Sequence, residues 1–201
     1  MQSKYWIAAV LLTCGFISAF AQYAGAQIDA VLLQKANAGD PIAQVAVGDS
    51  YAAGKTVPQD LQQAVAWYRQ AADKADIPAE LRLAALYRDG GQGFDRDMVQ
   101  AAAWYLKAAD QGDVSAQSTM GTLYSFGQGV AQNYAEAYYW LDLAAAVKGP
   151  KQAQYAAYRQ MMGAHITVDE LAEVQSRAAK WKSTHPRPDP QQPQQPQQPQ
   201  Q

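Results

Sequence analysis

Cysteine and histidine are almost missing from this 201-residue chain, which holds one Cys and two His. The single cysteine, Cys14, lies inside an N-terminal apolar run, so a chain cleaved beyond it has no thiol. Disulfides, thiol nucleophiles and cysteine-bound metal are then excluded. His165 and His185 have no second histidine, cysteine or carboxylate at ligand spacing, which leaves no pattern for a metal site. Gly-x-Ser-x-Gly, His-Glu-x-x-His and the lysine-bearing phosphate loop are also lacking. Gly90-Gly91-Gln92-Gly93 shares only its glycines with such a loop, because no Lys-Ser or Lys-Thr follows. Positive charge is sparse as well: 16 basic against 18 acidic residues give a formal charge of -2, and the basic residues form no patch. A surface built to neutralise phosphates is excluded, and nucleic acid with it. No catalytic residue, cofactor or metal is expected.

The only long apolar run spans Trp6 to Phe20, preceded by the single cation Lys4. Fifteen residues, diluted by Thr13, Gly15 and Ser18, fall short of the roughly 20 that a membrane-spanning helix needs. Small-x-small sites follow at Ala19-Phe20-Ala21 and Ala24-Gly25-Ala26, so residues 1–26 read as a cleavable signal peptide with two candidate sites. A lipoprotein signal at Leu11-Leu12-Thr13-Cys14 and an uncleaved anchor are the less favoured alternatives, the former because Thr13 stands where a Gly, Ala or Ser is usual and the apolar run continues past Cys14. The expected location is periplasmic or secreted, with no stable membrane insertion after cleavage. Loss of Lys4 takes the formal charge from -2 to -3.

What the chain does have is repetition. Ala101 to Gly112 reads AAAWYLKAADQG; a similar phrase, AVAWYRQAADKA, runs from Ala64 to Ala75, and a looser one, AYYWLDLAAAVKG, from Ala137 to Gly149. Trp67, Trp104 and Trp140 are thus 37 and 36 residues apart. Periods of this size mark stacked helical units, none of which can bury its apolar face alone.

Taken in order, residues 27–39 predict an N-terminal capping helix. Three repeats follow at about 40–75, 76–112 and 113–149, then C-terminal cap helices over 150–182 and a Pro/Gln-rich tail over 183–201. In the first repeat, Ala43, Val47, Gly48 and Tyr51 predict a helix from about Pro41 to Ala53, closed by Gly54. Asp60 is placed to cap a second helix from Leu61 to about Lys74. The second repeat runs in register through Ala79, Leu83, Ala84 and Tyr87, with Asp95 and Asp97 as capping candidates. The third runs through Ala116, Met120, Gly121 and Tyr124. Beyond Gly149-Pro150, Ala153, Ala157 and Tyr158 continue the inward stripe of a first helix. Thr167 and Glu170 form a capping box, and Leu171, Val174, Ala178 and Trp181 make one apolar stripe from which Glu173, Arg177 and Lys180 point away. The tail has no aliphatic or aromatic side chain to bury, which predicts disorder with polyproline character.

The repeated grammar is Ala, an aliphatic four residues on, Gly, Tyr, Gly, a hydrophobic loop residue, Asp or Asn, Ala, Trp-Tyr and Ala-Ala. It resembles the Sel-one-like repeat family, whose members are tetratricopeptide-like. Ala84 and Tyr139-Trp140-Leu141 depart from it. The resemblance implies an all-α fold, a right-handed alpha-alpha superhelix of about three helix pairs with terminal caps. Gly48, Tyr51, Trp67, Tyr87, Trp104, Tyr105, Gly121, Tyr124 and Trp140 are then packing residues. In such arrays the concave face is lined by first-helix residues off the packing stripe. Carried over, these include Val45, Asp49 and Ala52, then Leu81, Ala85, Arg88 and Asp89, then Ser118, Thr122, Ser125 and Phe126. Leu81 and Phe126 are the expected anchors and Arg88 the charged reader of a protein or peptide partner. The implied function is an exported, non-enzymatic interaction scaffold. The alternative, a cell-wall or β-lactam-related hydrolase or binding protein, belongs to cysteine-rich relatives with a cysteine pair per repeat.

Overall fold

The structure, a computed structural model, describes residues 27–186. The signal peptide expected over 1–26 and the tail from residue 187 onward lie outside the described residues. Among the described residues every regular element is helical, apart from one isolated bridge between Gly91 and Phe94. Two compact units meet in sequence at Gln111 and Gly112. The first holds α1 (Ala30–Asn37), α2 (Pro41–Ala53), α3 (Leu61–Ala72), α4 (Ile77–Asp89) and α5 (Met98–Asp110). The second holds α6 (Val114–Phe126), α7 (Tyr134–Ala145), α8 (Gln152–Gly163) and α9 (Val168–Thr184). The all-α architecture of repeated helix pairs predicted from the sequence is the one observed.

Eight of the nine described helices start where a short acceptor side chain meets an apolar run. Asp29, Asp40, Asp60, Asp76, Asp97, Asp113, Asn133 and Thr167 all accept from backbone N–H groups of the first turn. Among the described helices only α8, preceded by Lys151, lacks such a bond. Of the two capping candidates before α5, Asp97 fills the role and Asp95 does not. The link into each first helix needs a left-handed residue. Gly39 and Gly112 supply it at φ 92° and 93°, while Ala75 adopts φ 59° at the equivalent place. A side chain there costs about 1–2 kcal/mol, so the second repeat carries a local strain that the others avoid.

Within a pair, the helices approach closely through small residues. A Cβ at Gly48 would stand 2.5 Å from the Tyr68 ring, and one at Gly121 would stand 2.6 Å from Leu141 Cγ. Both positions therefore require glycine, and Tyr68 and Leu141 fill matching places in separate copies. Tyr68, Leu83, Met120 and Leu143 are the largest fully buried apolar side chains among the described residues. Each contributes roughly 1.5–3 kcal/mol by leaving water. Trp104, Tyr105 and Trp140 are buried. Tyr51, Trp67, Tyr87 and Tyr124 are half-buried. Tyr51 and Trp67 pack beside the Ala36, Ala43 and Val47 cluster, which joins α1 to α2. In the first pair Tyr68, one residue after the tryptophan, is the more buried aromatic.

A polar position also repeats in the core. Gln44, Glu80 and Gln117 follow the first buried alanine of α2, α4 and α6, and they are 3%, 2% and 0% exposed. Gln44 Nε2 donates to the Ala36 carbonyl at 3.1 Å and to Gln70 Oε1 at 3.3 Å, tying α2 to its neighbours. Glu80 accepts instead, from Gln111 Nε2 at 2.7 Å. Burial pushes the Glu80 carboxyl up to about 7, against the opposing pull of Lys107 and with a further push from Asp76.

Three expectations for the C-terminal cap are corrected. Ala153, Ala157 and Tyr158 are exposed, and Tyr155 is the buried residue of α8. The reason is Tyr155 packing on Ala144 and Ala145, together with an ion pair outside the repeat template. Arg159 Nη1 meets Asp142 Oδ1 at 2.6 Å, which turns the 152/155/159 side of α8 toward α7. Arg177 does not point away: it bonds Glu136 at 2.7 Å and lies 4.0 Å from the Tyr139 ring centre. The last helix also runs on to Thr184, two residues past the boundary placed at 182. Val174 and Ala178 are buried and the Thr167–Glu170 capping box is formed. Lys182 completes the clamp, with Nζ 2.6 Å from Asp142 Oδ2.

Candidate functional site

The residues singled out on the first helices fall in both units, and each group has its own geometry. In the first unit, Asp49, Ala52, Ala85 and Asp89 come together with Ala53, Tyr68, Arg82 and Leu86 around a cleft of about 380 Å³. Asp49 is committed internally. Its Oδ1 accepts from Tyr68 Oη at 2.6 Å and from Arg82 Nε at 2.7 Å, while Oδ2 accepts from Arg82 Nη2 at 3.1 Å. Burial raises the Asp49 carboxyl, but Arg82 and the Tyr68 hydroxyl outweigh it and hold the group below the usual carboxylate range. Tyr68 is correspondingly pushed up by burial and by the Asp49 carboxylate.

Arg88 is similarly occupied. It forks onto the neighbouring Asp89 at 2.7 and 2.8 Å and donates to Tyr105 Oη at 2.9 Å. The Arg88 guanidinium holds the Asp89 carboxyl below its ordinary range. Ala85 stands in the second repeat where Asp49 stands in the first, so Tyr105 takes its partner from Arg88 instead. The two sites answer one problem, a tyrosine hydroxyl at a helix interface that needs a hydrogen bond. Val45 and Leu81 are half-buried and line no part of this cleft.

In the second unit, Thr122, Ser125 and Phe126 of α6 meet Tyr158, Met161 and Met162 of α8 over a floor of Gly121 and Leu141, forming a cleft of about 290 Å³. Ser118 is half-buried and lies one turn before it. Phe126, Met161 and Tyr158 are 70%, 58% and 43% exposed, so three large apolar groups face water around one depression. The hydroxyls turn back on the helix: Thr122 Oγ1 donates to the Ser118 carbonyl at 3.2 Å and Ser125 Oγ to the Thr122 carbonyl at 2.8 Å. Their lone pairs remain able to accept from a ligand N–H. Among the described residues, no Asp, Glu, Lys or Arg lines the cleft.

Sequence reasoning finds the α6 half of this cleft and misses the α8 half, because the repeat template sets Tyr158 on the inward stripe. The spacing of Gln152, Tyr155, Arg159 and Met162 is the available signal: it is also a helical stripe, and it leaves Tyr158 and Met161 together outside. Arg82 carries no local signal, since its partner Asp49 lies 33 residues earlier. Among the described residues no cluster of His, Cys, Asp and Glu has the arrangement of a metal site, and no helix is long and apolar enough to cross a membrane.

Comparison with known proteins also finds three repeats. The Sel1 repeat profile matches residues 41–76, 77–113 and 114–146, more than half of the chain. These windows hold α2–α3, α4–α5 and α6–α7. Among solved structures, one similar protein is c5321, a protective antigen present in uropathogenic Escherichia coli strains and displaying an SLR fold. It is 28% identical with a TM-score of 0.62, over 77% of this chain and 32% of that one. Another is a Sel1 repeat protein from Oxalobacter formigenes, 31% identical with a TM-score of 0.60, over 75% of this chain and 44% of that one. The chain thus spans less than half the length of either structure. A search of curated proteins gives no match. Sel1 repeat proteins generally mediate protein–protein interaction, on a fold that is typically a non-catalytic scaffold. Three consecutive matches, each coinciding with an observed helix pair, establish that the chain belongs to the Sel1 repeat family.

Proposed function

We propose that the chain is an exported, non-enzymatic scaffold that receives an extended segment of a partner protein on its first-helix face, in the cleft between α6 and α8. The observation that carries this reading is the joint exposure of Phe126, Tyr158 and Met161 around an uncharged depression. Large apolar groups that stay in water at one concave place mark an interaction surface, and aromatic and methionine side chains are the usual anchors of such surfaces. The first-unit cleft is a weaker candidate, because its charged groups already satisfy one another. Export is supported by Lys4, the apolar run Trp6 to Phe20 and the two small-x-small sites.

The binding claim is tested by selecting peptides from a displayed library on the wild-type protein and measuring them against a Phe126→Ala/Met161→Ala variant. Both side chains are exposed, so the variant keeps its helical content. The selected peptides should lose at least about tenfold in affinity, the scale of one lost anchor. Equal binding to both proteins would remove the cleft from consideration. Export is read from the N-terminus of the protein recovered from cells: Gln22 or Gln27 as first residue supports it, and an intact Met1 overturns it.

A further inference from the structure

The cleft is lined by no charged side chain, and residues 190–201 carry none either. From Pro190 to Gln201 the sequence is a Pro-Gln-Gln repeat with Pro190, Pro193, Pro196 and Pro199 at every third position and no ionisable side chain. A polyproline II helix has three residues per turn, so in that conformation all four prolines align on one edge while the glutamines take the other two. Such a ridge of rings is a ligand for aromatic-lined grooves. Glutamine N–H groups flanking it would find the acceptor lone pairs of Thr122 and Ser125.

The geometry of the second unit brings this segment within reach. Trp181 lies beside Gly112, its Cη2 3.4 Å from where a Gly112 Cβ would stand, and His185 stacks on Trp181 at 4.2 Å. The tip of the Trp181 indole, one side chain's length from the α9 backbone, therefore meets Gly112 just before α6, and Gly121 and Phe126 lie about 10–18 Å beyond the first residue of α6 at 1.5 Å per residue. Fifteen residues in polyproline II geometry would span about 46 Å at 3.1 Å per residue, which exceeds that distance.

From this we infer that the Pro/Gln-rich tail of the same chain is an occupant of the α6–α8 cleft, a built-in competitor that a partner must displace. The inference rests on the reading of the cleft as a peptide site and adds an autoinhibitory ligand to it. Because the tail is tethered, its effective concentration is on the order of 1 mM. A tail that binds with a Kd of about 100 μM in trans would then weaken any competing peptide by about tenfold.

The test uses the full-length chain and a variant of equal length with Pro190, Pro193, Pro196 and Pro199 replaced by Ser. A fluorescein-labelled peptide of residues 187–201 is titrated by polarisation. It should bind the four-serine variant saturably and about tenfold more tightly than wild type, with Phe126→Ala in the four-serine background abolishing the signal. Equal affinity for both chains, no saturable binding, or indifference to Phe126→Ala would each overturn the inference. A difference that disappears when the protein is diluted tenfold would assign the tail to the cleft of a second copy, and would also overturn it. Library-selected peptides provide the separation from the parent reading. If they bind through Phe126 while the tail peptide does not, self-occupancy fails and the peptide site stands; if neither binds, both fail.

Discussion

Replacing Glu80 by glutamine should stabilise the protein, and by an amount that depends on pH. Glu80 is 2% exposed and stands where Gln44 and Gln117 stand in the other two copies. Its carboxyl titrates at about 7 in the folded chain against a reference of 4.5. An acid raised in this way binds its proton more tightly when folded, so its contribution is fully present below about pH 4.5 and is lost as pH rises through about 7. That gap is worth about 3 kcal/mol. Between pH 5 and pH 8 the change is about 2.5 kcal/mol, because part of the loss has already occurred at pH 5. The amide introduced by Glu80→Gln has no charge to desolvate and still accepts from Gln111 Nε2, so the variant's stability carries none of this dependence. The groups acting on Glu80, Lys107 and Asp76 by charge and Gln111 by hydrogen bond, are common to both proteins, as are His165 and His185. Their contributions largely cancel in the difference. Urea unfolding of wild type and Glu80→Gln at both pH values measures it. The variant should be favoured at pH 8, and the difference between the two proteins should shrink by about 2.5 kcal/mol at pH 5. A difference that is the same at both pH values would mean that the buried carboxyl ionises normally, and the reasoning would be refuted.

Trp104→Ala removes a buried indole that Lys107 Nζ covers at 3.7 Å, and should cost about 3–5 kcal/mol; an unchanged Tm would contradict its packing role. Ala75→Gly relieves the left-handed residue before α4 and should gain about 1 kcal/mol in chemical unfolding, whereas a loss would mean that the alanine methyl contributes more than its strain costs. Asp142→Asn leaves Arg159 and Lys182 without their shared carboxylate and should cost about 1–3 kcal/mol, with proteolysis appearing first in α8 and α9. Protection of those helices equal to wild type would show that the clamp holds nothing.

The fold is legible because its signals are local. An Asp or Asn before an apolar stripe, a glycine after it, and the same spacing three times over fix helix starts, ends and pairing without reference to anything distant. Asp60 and Asp97 are readable as caps for this reason. Other features depend on partners far along the chain. Glu80 sits in the first turn of its helix, where a carboxylate ordinarily faces water and favours the dipole, and only the comparison with Gln44 and Gln117 marks the position as interior. Arg177 reads as solvated surface in the sequence because Glu136 lies 41 residues earlier. The α8 face of the cleft is hidden for a related reason: the repeat template predicts Ala153 and Ala157 inward, and it contains no counterpart to the Asp142–Arg159 pair.

That pair has a consequence for how sequences of this kind can change over time. The places equivalent to Asp142 in the earlier copies are Arg69 and Leu106, so within this chain the aspartate is one of the features that set the third copy apart. Substituting it alone strands two cations, and substituting either cation alone leaves a carboxylate that is 9% exposed short of a partner. Asp142, Arg159 and Lys182 should therefore be inherited or lost together. Among related chains, a hydrophobic residue at 142 should coincide with a further repeat in place of the α8–α9 cap, making the trio a written stop sign for the array.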